Sequence, residues 1–192
     1  VTENLIAGNE ASNTGGGLAS WNSSGKIQNN EIYENNAESG GGIACTGSLT
    51  LISGNRIESN HAYTDGGGIY CQNATPVISE NILMYNEAGS AGGGIYLRGN
   101  DSYPDIYNCV IAKNNAQMGG GIYATLGALP TIYNCTVYYN TAPLDSGIGC
   151  LSGHPVIYNT IIWQNYCLNA YNLSYSLVWP YGGYGADGDP SF

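Results

Sequence analysis

Apolar residues along this chain fall in short β-branched runs that alternate with polar positions, and the runs return in register. One column reads Ile6, Ile32, Ile57, Leu83, Ile111, Val137 and Ile162. Three residues after each stands an asparagine: Asn9, Asn35, Asn60, Asn86, Asn114, Asn140 and Asn165. Two residues beyond those come Ala11, Ala37, Ala62, Ala88, Ala116 and Ala142, with Cys167 in the seventh place. A further column reads Ile27, Ile52, Ile78, Ile106, Ile132 and Ile157, followed three residues later by Asn30, Asn55, Asn81, Cys109, Cys135 and Thr160. The runs are too short for helices, and Gly, Asn and Pro punctuate them.

A glycine triplet keeps the same beat. It begins at positions 15, 40, 66, 92 and 119, and a decayed copy, "DSGIGC", begins at 145. Such steps of roughly 26 residues belong to solenoid repeats. A phosphate loop would need one such turn opening a helix, not six. The triplet is therefore read as a corner, where glycine permits tight turning and close approach of stacked backbones. Only its third member survives in the decayed copy, as Gly147, which marks that position as the most demanding. The spacing predicts an all-β domain over 1–192 built of six to seven stacked coils with three short strands each. Each strand pairs in parallel with its equivalent one coil on, about 4.8 Å away. Ile, Leu and Val columns then form a continuous core, and stacked asparagines link their amides into ladders. The repeats run to about residue 165, and 166–192 read as a non-repetitive cap.

On these columns, and on "NCVIAKNNAQMGGGIYATLGALPTIYNCTVYYNTA" at 108–142 above all, the chain resembles the right-handed parallel β-helix repeat proteins, the architecture of pectate lyases and of repetitive bacterial and archaeal surface proteins. The closing "GYGADGDPSF" at 183–192 is similar to their coil endings. The resemblance implies a right-handed, single-stranded parallel β-helix and an extracellular or cell-surface setting. It does not fix the chemistry, because one fold hosts many functions.

Charge narrows the partners. Fourteen acidic residues against Lys26, Arg56, Arg98 and Lys113 give a formal charge of −10, which argues against nucleic acid or an anionic membrane surface. No apolar stretch reaches the length of a membrane-spanning helix. The chain opens almost inside its first repeat, so further coils of a larger exported protein are expected beyond Val1.

Lyases of this architecture use acidic calcium ligands and a nearby Arg or Lys base. The matching candidates here are Arg56, Glu58 and Glu31: Arg56 precedes the inward Ile57, so it points outward beside Glu58 and near Glu31 one coil below. A surface ion pair is the simpler account of the same residues. Asp101 and Asp105 near Arg98 form a second group. Glu31, Glu34, Glu58 and Glu87 could pair for glycoside hydrolysis, but no spacing selects a pair. His61 and His154 fall on distant coils, which gives little support to a zinc site or triad. Asp187 and Asp189 could take calcium by spacing, but a plain polar turn is the simpler account of them.

Two tyrosine columns are the main candidate ligand surface. Tyr70, Tyr96 and Tyr123 follow inward isoleucines, as do Tyr107, Tyr133 and Tyr158, so both triplets should stack facing outward. A tyrosine offers flat apolar area and a hydroxyl, which suits a sugar ring, although like aromatics on adjacent strands also stabilise a sheet by themselves. Trp163 with Tyr138, and Trp179 with Tyr181, could extend that surface. The six cysteines form no CxxC, and buried free thiols fit them better than bridges between side chains that point the same way. The sequence reading is a non-catalytic extracellular module for polysaccharide or cell-envelope contact, needing no cofactor, with calcium as the one candidate ion. A polysaccharide lyase or glycoside hydrolase, and a purely structural spacer, are the alternatives.

Overall fold

The computed structural model describes residues 1–152 and 155–163, together with the backbone of 173–174 and 177–179. Its strands assemble into four parallel sheets of eight, seven, six and four strands. Each sheet runs along the stack, and every strand pairs with its equivalent one coil on, as Ile32 with Ile57 and Ile57 with Leu83. The chain is thus a parallel solenoid with a repeat of about 26 residues.

Three of the four sheets are the strands expected. The eight-stranded sheet carries the Ile6 to Ile162 column and the seven-stranded sheet carries the Ile27 to Ile157 column. The six-stranded sheet follows the glycine triplets and sends Ile43, Ile69, Ile95, Ile122 and Ile148 inward. The fourth sheet was not expected. It is built from the alanine column, as in Asn36–Ser39 and His61–Ala62, and Ala62, Ala88 and Ala116 are sealed in a small cluster of their own. Backbone strands Leu173–Ser174 and Leu177–Trp179 add to two sheets, so the coil register continues past residue 165. The capping role assigned to 166–192 lies outside the described residues.

The core is one continuous file of Ile, Leu and Val with almost no exposure. Buried asparagine forms the second structural element. Each ladder amide is saturated: Asn86 Nδ2 donates to Ile57 O at 2.9 Å and to Asn114 Oδ1 at 3.0 Å. Its own Oδ1 accepts from the backbone N–H of Asn60 at 3.1 Å and from Asn60 Nδ2 at 3.0 Å. Two donors and two lone pairs are all a carboxamide has, so the Asn86 side chain is fully paired. A shorter ladder runs through Asn30, Asn55 and Asn81, then passes to Cys109 and Cys135. Their thiols donate to the Tyr107 and Tyr133 carbonyls, both at 3.3 Å.

Corners of the coil sit in the left-handed region, and most are not glycine. Glu34, Ser59, Tyr85, Lys113 and Tyr139 share one corner column, with φ between 53° and 57°. Glu80 has φ 59° at another, where the preceding coil uses Gly54. A left-handed side chain costs about 1–2 kcal/mol, and glycine returns about 0.5–1 kcal/mol through the unfolded chain. Glu80→Gly is therefore expected to stabilise the fold by about 0.5–1 kcal/mol. A urea midpoint at or below that of the parent would refute this. Among the glycines the structure revises the sequence ranking. A Cβ on Gly94 would meet Gly121 O at 2.6 Å, with its other neighbours being side chains at 3.1 Å. A Cβ on Gly93 would meet two backbone carbonyls, Asn115 O and Gly120 O, each at 2.5 Å. The second glycine is the tighter one.

Candidate functional site

The outer face of the eight-stranded sheet begins polar and turns apolar. In Glu31–Tyr33 and Arg56–Glu58 the central isoleucine is buried, so both flanking residues project outward. Glu31 pairs with Arg56 and Tyr33 with Glu58, which brings the four side chains around a depression of about 230 Å³. Arg56 Nε donates to Glu58 Oε1 at 2.9 Å, and the hydrogen bond and charge of Glu58 raise the already high guanidinium pKa. Glu31 adds charge from the adjacent strand. Sequence reasoning placed Arg56, Glu58 and Glu31 here and missed Tyr33. The signal was present, since Tyr33 stands two residues after Glu31 and one coil below Glu58. Further along the same face Tyr138 pairs with Trp163, whose exposed ring continues the surface. The side chain of Trp179 and all of Tyr181 lie outside the described residues.

The two tyrosine columns differ from one another. Tyr70, Tyr96 and Tyr123 stack in file, with ring centroids 5.6 and 6.2 Å apart. They are not an open face: only 5%, 7% and 6% of each is exposed, and Ala44, Ala91 and Met118 pack with them. The expectation of an outward ligand surface is corrected at these three positions. They point away from the main core, but the Asp65, Ala91 and Met118 bridges fold a further rung of chain beside the rings. Burial raises Tyr70, Tyr96 and Tyr123, and takes Tyr96 to about 12.

Tyr107, Tyr133 and Tyr158 remain half-exposed and stack at 4.9 and 5.0 Å, with interplanar angles of 16° and 2°. Stacking consumes ring faces. The middle ring has a neighbour on each side, so this column offers ring edges and hydroxyls rather than the flat faces a sugar would cover.

A second depression, of about 310 Å³, lies beside the six-stranded sheet and is lined by Gln72, Asn73, Arg98, Gly99, Asn100 and Leu126. The acidic residues expected near Arg98 are elsewhere. Asp105 belongs to the seven-stranded sheet, between Val77 and Thr131, and the carbonyl of Asp101 accepts from Thr75 Oγ1. His61 pairs along the alanine sheet with Asn36 and Glu87, while His154 lies outside the described residues. Asp187, Asp189 and Cys167 lie outside them as well. Five cysteines are buried free thiols, and a hydrogen bond from the Cys71 thiol to Cys45, together with burial, holds Cys71 well above its ordinary value. Among the described residues no group of three or more His, Cys, Asp or Glu could hold a metal ion, and no helix is long and apolar enough to cross a membrane.

Comparison with known proteins bears on the fold. Searches of curated proteins and of solved structures find no match to the chain. The family model for the right-handed β-helix region matches residues 1–100 and 86–176. With its parallel sheets, its buried isoleucine files and its asparagine ladders, this chain belongs to the right-handed β-helix family, whose architecture is that of the pectate lyase-like proteins.

Proposed function

We propose that this β-helix is a non-catalytic extracellular module that presents its eight-stranded face to a polysaccharide or cell-envelope component. The state of Arg56 carries the reading. A guanidinium that donates to Glu58 at 2.9 Å and is held more firmly protonated by it is a poor base for abstracting a sugar proton. The same pairing occupies a Glu58 oxygen that calcium would need. What remains is a binding constellation: charged donors and acceptors beside Tyr33, which has no ring stacked on it among the described residues. A ring with free faces next to polar groups suits the apolar side and the hydroxyls of a sugar.

A glycan array probed with and without calcium tests this. We expect retention on a subset of glycans, little changed by calcium, and weakened about tenfold by Tyr33→Ala, the loss of about 1.4 kcal/mol. Acidic polysaccharides incubated with the protein should gain neither unsaturated products nor new reducing ends. Turnover would make the protein a lyase or hydrolase instead. No retention and no turnover would leave a structural spacer.

A further inference from the structure

We propose that the depression around Arg98 is a second binding site, one that takes a single carboxylate carried by an otherwise uncharged ligand. The side chains that line it bring amide and guanidinium donors and no carboxylate. Gln72 Oε1 accepts the Tyr70 hydroxyl at 2.8 Å, which turns its amide nitrogen outward. The side-chain oxygen of Asn73 lies over Gly99 and that of Asn100 over Gly127, at positions where a Cβ would collide with them. Both asparagines thus turn their oxygens toward the next coil, which leaves their Nδ2 groups as the donors beside the depression. Neither nitrogen has a protein acceptor among the described residues.

Arg98 completes the set. It stands in register with Gln72 and Thr125 on the six-stranded sheet. Its guanidinium lies near the Tyr70 hydroxyl, where its charge opposes the burial that raises the phenol, and that hydroxyl donates to Gln72 Oε1. A neutral phenol orients the guanidinium without neutralising it. Arg56 is spoken for by Glu58, and Lys113 Nζ donates to Tyr85 at 2.8 Å. Arg98 has no carboxylate within ion-pair distance among the described residues, although Asp65 feels its charge. A guanidinium beside a neutral phenol and without a carboxylate partner keeps its fork for a planar, bidentate ligand group, which is a carboxylate. The whole-chain charge of −10 repels polyanions, so one isolated carboxylate is favoured over a run of them.

This site lies on a different sheet from the Arg56 depression and does not depend on the reading given for that face. The test is a titration of the ¹⁵N-labelled chain with methyl glucuronoside, with methyl glucoside and inorganic sulfate as comparators. Saturable shifts are expected in the Gln72, Asn73 and Asn100 side-chain amide signals with the glucuronoside. They should vanish in Arg98→Ala and weaken about tenfold in Arg98→Lys, which keeps the charge but loses the fork. Amide dispersion and melting of both variants check that the coil is intact. Equal shifts from the neutral glucoside, or shifts that persist in Arg98→Ala, would overturn the site. An equal response to sulfate would overturn the carboxylate assignment. A null result here leaves the array outcome for the Arg56 depression standing.

Discussion

Replacing Asn86 by alanine should destabilise the fold by about 3–5 kcal/mol, because the change takes a hydrogen bond from four buried groups at once. Asn60 loses the acceptor for its backbone N–H and its side-chain amide, Ile57 O loses the Asn86 amide, and Asn114 Oδ1 keeps only the backbone N–H of position 86. Each unpaired buried group costs about 1–3 kcal/mol, and relaxation recovers part of the sum. Position matters as much as chemistry. Asn9 occupies the same column in the first coil but is exposed, so Asn9→Ala should cost under about 1 kcal/mol. Urea midpoints of the two variants decide the matter, and equal losses would show that the ladder is not what holds the coils.

Asn86→Asp adds a pH signature to the same position. The new carboxylate would face Ile57 O and Asn114 Oδ1 with lone pairs on both sides and no exposure to water. Desolvation and these contacts raise its folded pKa above the unfolded value of about 3.9. A raised acid is most stable when protonated, so the variant should come nearest the parent below about pH 4. Stability should then fall as pH rises through the folded pKa, and the gap to the parent should widen toward neutrality. Melting temperatures of parent and variant across that range measure it. A gap independent of pH would mean that the site opens to water.

Most of the architecture could be read from the sequence because a solenoid repeats its own geometry. The Ile columns and the asparagine columns each recur at one spacing, so register follows by counting, and register alone brings Glu31, Arg56 and Glu58 together. Counting fails where a feature does not depend on the inward or outward alternation of a strand. The alanine sheet escaped because its strands are as short as two residues and alanine gives no alternation to detect. Tyr70, Tyr96 and Tyr123 follow inward isoleucines and do point away from the core. Alternation does not reveal the rung of chain at Asp65, Ala91 and Met118 that covers them. The Arg98 depression escaped for a related reason. Its donors come from strand ends and the corners after them, where side-chain direction follows from Asn73 and Asn100 lying over glycines of the next coil.

The same contrast between spacing and close contact governs the glycine triplet. Gly93→Ala is expected to cost about 3 kcal/mol, the upper end for an overfilled core. Its Cβ would sit 2.5 Å from both Asn115 O and Gly120 O, and neither is a side chain that can swing away. Backbone retreat is blocked as well. Gly93 donates to Gly119 O at 3.2 Å and Gly94 to Gly120 O at 3.1 Å, so moving the rung breaks the pairing that joins it to the next coil. Gly94→Ala should cost less, since only Gly121 O stands in the way and the other contacts, Asn114 Nδ2 and Ile111 Cγ2, lie at 3.1 Å on side chains. Gly25→Ala, whose nearest neighbour is Ser23 Oγ at 3.5 Å, serves as the control and should stay within about 0.5 kcal/mol of the parent. Ranking the three variants by urea midpoint separates the two accounts of the triplet. If Gly94→Ala proved the worst, launching the strand would be the stricter demand. If Gly93→Ala does, the limit is the distance between stacked backbones, and survival of the third glycine as Gly147 in the decayed copy does not mark the tightest position.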